Sequence, residues 1–404
     1  MTGAAVVTGL GVVAPGGIGA AAYWSAVLAG RRAIGRITRF DPGRYPTTLA
    51  GEVRDFTAPD RVPGRLVVQT DHWTHLALAA ADLALADAAV EPAALPEYEL
   101  AVATASSSGG TDFGQREIQR LWSKGPEAVG AYQSIAWFYA ATTGQLSIRH
   151  GMRGPCAVVC AEQAGGLDAL AEARRMLADG ARLVLTGGTD ASLCPYGLSA
   201  QLATGRLSRT ADPSLAYLPF DLRASGHVPG EGGAILVLED ERSARERGAR
   251  PYGRVAGYAA TFDPAPGLGR EPGLRRAAEL ALADAGIGPD GVDVVFADAV
   301  GVPDLDRQEA AALAALFGPY GVAVTAPKTM SGRLYAGGAA LDVAAALLAI
   351  RDGVVPPTVG VTGLADECEI DLVRDVPRPA QVRTALVLAR GYGGFNAALV
   401  VTHP

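Results

Sequence analysis

Residues 154–170, GPCAVVCAEQAGGLDAL, form the stretch best suited to mounting chemistry. An apolar run over 157–160 predicts a strand, a short turn follows, and Gly165 and Gly166 open a helix. Several enzyme classes carry a nucleophile on such a strand–turn–helix. The helix N-terminus offers unpaired N–H groups and a positive dipole end, which lower a thiol's pKa and stabilise an oxyanion. The residue at the turn here is Gln163. A neutral carboxamide is not a nucleophile at pH 7. Cys160 lies inside the predicted strand, away from the helix N-terminus, and reads as a buried apolar thiol. His72 and His75 stand one turn apart on a predicted helix. No acidic or cysteine neighbours complete a recognisable metal site, so a surface or packing role is expected and no metal is assigned. Gly9-x-Gly11 hints at a dinucleotide loop, but the third glycine falls wrong and Pro15 sits where a helix should begin.

The elements that must position these residues alternate. A strand is expected over 5–8, a glycine-rich turn over 9–17 and a helix over 20–29. Residues 39–56 are irregular, with Pro42 and Pro46 as breakers. Then come a helix over 71–89, a strand over 99–105, a polar loop over 106–110 and a helix over 111–122. Residues 131–141, AYQSIAWFYAA, are the most aromatic patch and read as a core or interface helix. A helix over 169–178 and a strand over 183–185 follow, then a glycine-rich turn and a very apolar strand within 219–239. Residues 241–250, ERSARERGAR, form a charged connector and divide the chain into halves 1–245 and 246–404.

The second half echoes the first. LALADAGIGP at 280–289 repeats LALADAAVEP at 83–92, and each is followed by a strand, over 292–297 and 99–105. Residues 337–355 echo 165–183, with a Gly-Gly helix opening, an Ala/Leu helix, a charged end and a strand. That order implies an internal duplication. Helices alternating with continuous apolar strands imply α/β sheets covered on both faces, a layered sandwich with the two Gly-Gly helices near its centre.

Bulk properties narrow the function. The 404 residues are 49% hydrophobic, enough for a large core. A net charge of −7 with no Lys/Arg run argues against nucleic acid and anionic membrane as partners. The N-terminus, MTGAAVVTGLGVV, has no positive n-region and does not read as a signal peptide. No apolar segment reaches the roughly 20 residues that span a bilayer. Cys156, Cys160, Cys194 and Cys368 lack zinc-like or secretory spacing, so buried thiols in a reducing cytoplasm are expected.

The segments VVTGLGVVAPGG, the nucleophile turn, LTGGTDA, PFDLRASGHVPGEGG, FADAVG, APKTMSGRLYAGGAA and RGYGGFNAALV run nearly end to end. Together they resemble the β-ketoacyl synthases of the thiolase-like fold, which implies a duplicated αβαβα layered sandwich. In the active family a cysteine occupies the nucleophile turn. One histidine precedes a Gly-Thr loop, a second follows Lys-x-x-x-Gly, and both polarise a malonyl thioester for decarboxylation and condensation. This chain departs at all three places. The cysteine slot is Gln163, the first histidine slot is Val300 in Asp298-Ala299-Val300-Gly301, and the second is Arg333 after Lys328 and Gly332. None of the histidines at 72, 75, 150, 227 and 403 aligns with either slot. Lys328 and Asn396 match the family pattern without their catalytic neighbours, and a structural role is expected of them.

CAEQAGGLDAL with MSGRLYAGGAALD resembles one subgroup, the chain-length factors or ketosynthase β subunits of bacterial type II polyketide synthases; SIRHGMRGP, WSKGP and YQSIAWFYA are similar too. The resemblance implies a chain with no active centre and no cofactor of its own. It implies a heterodimer with a ketosynthase α subunit, fed by an acyl carrier protein bearing phosphopantetheine. The poly-β-keto chain runs into a tunnel at the interface. The gate residues it implies are Thr111, Gly114 and Ile118, spaced to share one helical face. Ile135 and Phe138 are second-tier tunnel wall. Tyr132, Trp137, Ala157, Val158, Val159 and Cys160 are expected at the partner interface. A gate of small and medium residues implies a roomy tunnel and a long product, decaketide or beyond. Gln163 is expected to satisfy backbone groups around the turn, and Arg333 to be ion-paired. Three alternatives stand beside this reading. One is malonyl decarboxylation for priming through Gln163, although Val300 has no donor and Arg333 is permanently charged. Another is condensation on Cys160, and the last is a scaffold without influence on product.

Overall fold

Ten consecutive buried residues, Ala5–Ala14, form the central strand β1. The computed structural model describes residues 4–265, 267 and 269–404. Of the turn expected over 9–17, the chain turns only at Pro15 and Gly16, and Gly9 and Gly11 instead lie within β1. The helix α1, His72–Asp87, packs directly across them. A Cβ on Gly9 would lie 2.2 Å from the Ala84 carbonyl oxygen, and one on Gly11 1.8 Å from that of Ala80. Close helix–strand approach, not turning, is what these glycines provide.

The first half continues with β2 (Leu100–Ala105), α2 (Thr111–Lys124), β3 (Cys156–Val159), α3 (Gly165–Ala178), β4 (Leu183–Asp190) and β5 (Gly232–Asp240). The second supplies β6 (Gly253–Phe262), α4 (Leu274–Ala285), β7 (Val294–Phe296), α5 (Pro303–Phe317), β8 (Ala323–Thr325), α6 (Ala336–Asp352), β9 (Thr384–Gly391) and β10 (Phe395–Thr402). From edge to centre the strands run β3-β2-β4-β5-β1 in one half and β8-β7-β9-β10-β6 in the other. The two orders are the same, so the duplication read from the sequence is a duplication of topology. The half-sheets join where Val6 and Val7 of β1 pair antiparallel with Arg254 and Gly253 of β6.

Between the half-sheets lie α3 and α6, packed on each other and on strands of both. Fifteen residues of α6 are buried, which explains its apolar, alanine-rich composition. Helix α1 covers the first half-sheet, and α4 with α5 the second, completing an αβαβα sandwich. Among the described residues no helix is long and apolar enough to cross a membrane.

The sheet's two ends differ. Beyond β8, the two-residue strand Asp371–Leu372 pairs parallel to it. Beyond β3 no strand follows among the described residues. The connector over 241–250 begins as the short helix Glu241–Glu246, capped by Asp240.

Two further expectations need correction. Residues 131–141 do not form one helix. A short helix, Gln133–Ala136, ends at Trp137, and a new one, Ala141–His150, follows. The Trp137 carbonyl accepts a hydrogen bond from Gly110 N at 3.1 Å, so the segment is tied across the start of α2 rather than wound on itself. Its aromatic side chains at Tyr132, Trp137, Phe138 and Tyr139 are exposed, not core. Cys156 and Cys160 are exposed too, because β3 is an open edge and Cys160 lies just past its end.

Candidate functional site

At the end of β3 the chain turns sharply onto α3. Glu162 adopts a φ of 50°, a left-handed conformation unfavourable for a side-chain-bearing residue. Gln163 follows on a single 3₁₀ turn, Glu162–Ala164, and is 0% exposed. Its carboxamide presses on α6, where a Cβ at Gly338 would stand 2.8 Å from Gln163 Oε1. The amide was expected to satisfy backbone groups here, and it does not: neither Oε1 nor Nε2 has a hydrogen-bond partner. The polar work is done by Glu162, whose carboxylate accepts from Tyr392 N. An orphaned buried polar group costs about 1–3 kcal/mol, so the seat is occupied without being satisfied.

Arg333 reaches the same turn, ion-paired as expected. It is buried, with Nη2 3.0 Å from Asp298 Oδ1 and Nε 3.7 Å from Glu162 Oε1. It also donates to the carbonyls of Arg390 at 2.5 Å and Asp298 at 3.4 Å. Arg390 clamps Asp298 from the other side at 3.0 Å and holds Glu309 at 2.9 Å. Burial alone would raise the Asp298 carboxyl, but the Arg333, Arg390 and Lys328 charges hold it well below the usual carboxylate range. Burial opposes the Arg333 charge too, yet Asp298 and Glu162 keep it firmly protonated. Burial pushes the Glu162 and Glu309 carboxyls up, against their arginine partners.

Val300 is buried in a loop fixed from α5. Glu309 accepts from Asp298 N and Ala299 N at 2.8 and 2.9 Å, and Asp306 accepts from Gly301 N at 3.0 Å. Lys328 is paired with Asp342 at 2.8 Å and donates to the Ala297 and Asp298 carbonyls. Asn396 donates to Asp263 at 2.8 Å and to the Gly394 carbonyl at 3.1 Å. Both contacts fit the structural role expected of these two residues.

Sequence reasoning missed Glu162, Asp298, Arg390 and Glu309 as a network, and His227 beside it. The signal available was Arg390, a lone cation ending an otherwise apolar strand. The His227 ring lies between Tyr217 and Tyr335, with centroids 6.4 and 6.2 Å away. Burial, and then the Arg333 charge, lower it to about 3. An unfolded histidine titrates near 6.5, so between those values the unfolded chain binds the extra proton and acid favours unfolding. Going from about pH 7 to about pH 5 is expected to remove about 2 kcal/mol of stability through this residue. Thermal melts of the parent and His227→Gln across that range check it; parallel curves would refute the assignment. His75, lowered to about 4 by burial, acts in the same direction. Burial raises Asp71 to about 6 and Asp306 to about 7, which acts oppositely, so the difference between variant and parent is the quantity to read.

The metal-pair residue His72 sits 3.5 Å from Glu231, whose carboxylate also holds Arg39. Among the described residues no group of three or more His, Cys, Asp or Glu side chains could hold a metal ion. Burial raises the Cys160 thiol, with Asp190 adding to it, the opposite of nucleophile activation.

On α2, Thr111 and Gly114 are buried and Ile118 is 47% exposed. Gly114 does not face open space: Trp137 lies against it. Ile135, Phe138 and Tyr132, on the same segment as Trp137, are exposed apolar residues. Ala157, Val158 and Val159 are half-buried along the open edge of β3, and the helix Ala141–His150 packs on β3 directly after the aromatic segment. The aromatic segment thus runs from the expected gate on α2 to the helix that packs on β3. The loop before α2 also reaches the buried helix α6, since Ser107 Oγ accepts from Ala336 N at its start at 3.0 Å.

Residues 4–244 match the N-terminal domain of β-ketoacyl synthases, and residues 252–362 match their C-terminal domain. The chain is 62% identical over 398 residues to the tetracenomycin polyketide synthase ketoacyl synthase β subunit of Streptomyces glaucescens, covering 98% of this chain and 97% of that one. It is 59% identical over 397 residues to the actinorhodin polyketide β-ketoacyl synthase 2 of Streptomyces coelicolor, covering 98% of each. Among solved structures, the ishigamide ketosynthase/chain length factor superposes with a TM-score of 0.90 at 28% identity over 100% of both chains. The thiolase-like sandwich, the topology and the kinship agree: the chain belongs to the β-ketoacyl synthase family, among the ketosynthase β subunits of type II polyketide synthases.

Proposed function

We propose that this chain is a non-catalytic chain-length factor. It heterodimerises with a ketosynthase α subunit and shapes the interface tunnel that sets polyketide length in aromatic polyketide synthesis. The observation that carries the reading is the nucleophile seat: a fully buried carboxamide, Gln163, beside an arginine locked to Asp298. Nothing there attacks a thioester, and Val300 offers no proton. The relatives described as a ketosynthase β subunit and a ketosynthase/chain length factor support the assignment. A solved relative in which a type II acyl-carrier protein is complexed with its ketosynthase bound to a hexaketide supports carrier-protein delivery. In this reading the chain holds no cofactor; the phosphopantetheine arm belongs to the carrier protein, and the complex works in the cytoplasm.

Co-expression with the α subunit and mass measurement of the released polyketide tests the proposal. Gly114→Thr with Ile118→Phe is expected to shorten the product by at least one malonyl unit, because overpacking a closed site costs about 1–3 kcal/mol. An unchanged product spectrum from an assembled complex rejects the gate and favours a plain scaffold. One observation keeps malonyl decarboxylation as a second reading: the Gln163 amide is unpartnered, so it has hydrogen bonds to offer an acyl group. In the same preparation, acetyl-carrier protein formed from malonyl-carrier protein and lost on Gln163→Ala would establish it.

A further inference from the structure

Three glycines strip the start of α2 bare where the aromatic segment crosses it. A Cβ on Gly110 would lie 2.0 Å from the Ala136 carbonyl oxygen, and one on Gly109 2.5 Å from that of Trp137. The third is the gate position Gly114, where a Cβ would stand 2.9 Å from Trp137 Cδ1. The indole therefore lies on the naked backbone of α2. Its own backbone is held on both sides, by N–H donation to Gln133 O at 3.2 Å and by the Gly110 bond to its carbonyl. About half of Trp137 stays exposed (52%), as does Ile118 one turn further along α2.

We infer that Trp137 is the side chain that closes the polyketide tunnel at this level, and that position 114 acts on chain length by placing that ring. The inference rests on the chain-length reading above and names the group that carries it out. Gly114 is not a vacancy that admits a longer chain; its room is already taken by an indole. Any larger residue at 114 must push the ring outward, off α2 and toward the partner's side. Trp137 has only two side-chain torsions and a fixed backbone, so the ring moves as a rigid flap rather than folding away.

The test is a double-mutant cycle in the co-expressed complex, read by mass of the released polyketide. Trp137→Ala is expected to raise the ratio of longer to parental product about tenfold, as expected for relief of one steric clash. Gly114→Thr should shorten the product in the parent and lose most of that effect in the Trp137→Ala background. Unchanged length with Trp137→Ala, or a Gly114→Thr effect equal in both backgrounds, overturns the inference. If Trp137→Ala prevents assembly, Trp137→Phe keeps an aromatic contact with a smaller ring, and unchanged length there overturns it equally. Ile118→Phe separates this failure from failure of the chain-length reading. A response to Ile118→Phe with none to Trp137 substitution leaves the reading intact and removes Trp137. Silence at both positions removes both.

Discussion

Replacing Arg333 with methionine is expected to destabilise the protein by about 3 kcal/mol, the lower end of what breaking a buried ion pair by removing one partner costs. The guanidinium is sealed from water and spends its donors on Asp298, Glu162 and the Arg390 carbonyl. Removing it leaves the buried Asp298 with Arg390 as its ion-pair partner and Lys328 as a further nearby charge, and takes the Arg333 charge from Glu162. Because Arg390 stays, the loss should not reach the upper end of the range. Urea unfolding of the purified heterodimer reads the effect. A loss below about 1 kcal/mol, typical of an exposed pair, would show that the network does not hold the site together. Adding Asp298→Asn to the methionine variant should recover part of the loss, since the uncompensated charge is what costs most.

A proline at Val158 is expected to weaken heterodimer formation about a hundredfold while leaving the chain folded. Val102 N donates to Pro155 O and Ser106 N to Val159 O, so the odd-numbered residues of this segment bond inward to β2. By alternation Cys156 and Val158 turn their backbone groups to the open edge. Proline at 158 removes an outward donor and spares the β2 ladder, whereas proline at 157 breaks that ladder. Without that donor the facing carbonyl is left buried and unpaired at a cost of about 1–3 kcal/mol, the upper end of which is about two decades in affinity. Calorimetric titration with the α subunit measures it, with circular dichroism confirming that Val158→Pro remains folded. Undiminished affinity would place the partner elsewhere than along β3.

The sequence carried the architecture because duplication leaves repeated text. LALADAGIGP echoes LALADAAVEP, and the Gly-Gly helices mark where α3 and α6 must approach closely. Gly9 and Gly11 misled because a glycine that admits a neighbouring helix reads like one that turns the chain. The segment around Trp137 misled because its helical pattern is broken by hydrogen bonds to Gly110, a contact remote in sequence. The three replaced positions were legible by motif, but their consequence was not. Gln163 reads as a residue that can satisfy its neighbours, and only packing against Gly338 leaves it unsatisfied. Arg333 was expected to find a partner; that the partner is Asp298, shared with Arg390, depends on β9 lying beside β7.

The unequal ends of the sheet have a bearing on assembly. A filament built by strand addition needs two open edges per subunit, one to receive and one to offer. Here the β8 side terminates in a two-residue strand, too short to template another chain, while the β3 side is open. A subunit with one receptive edge can accept a single neighbour and then stops growing. Duplication gave this fold two similar halves, and the short strand at Asp371–Leu372 makes their edges unequal, so strand addition along β3 accepts one neighbour without propagating from the other side.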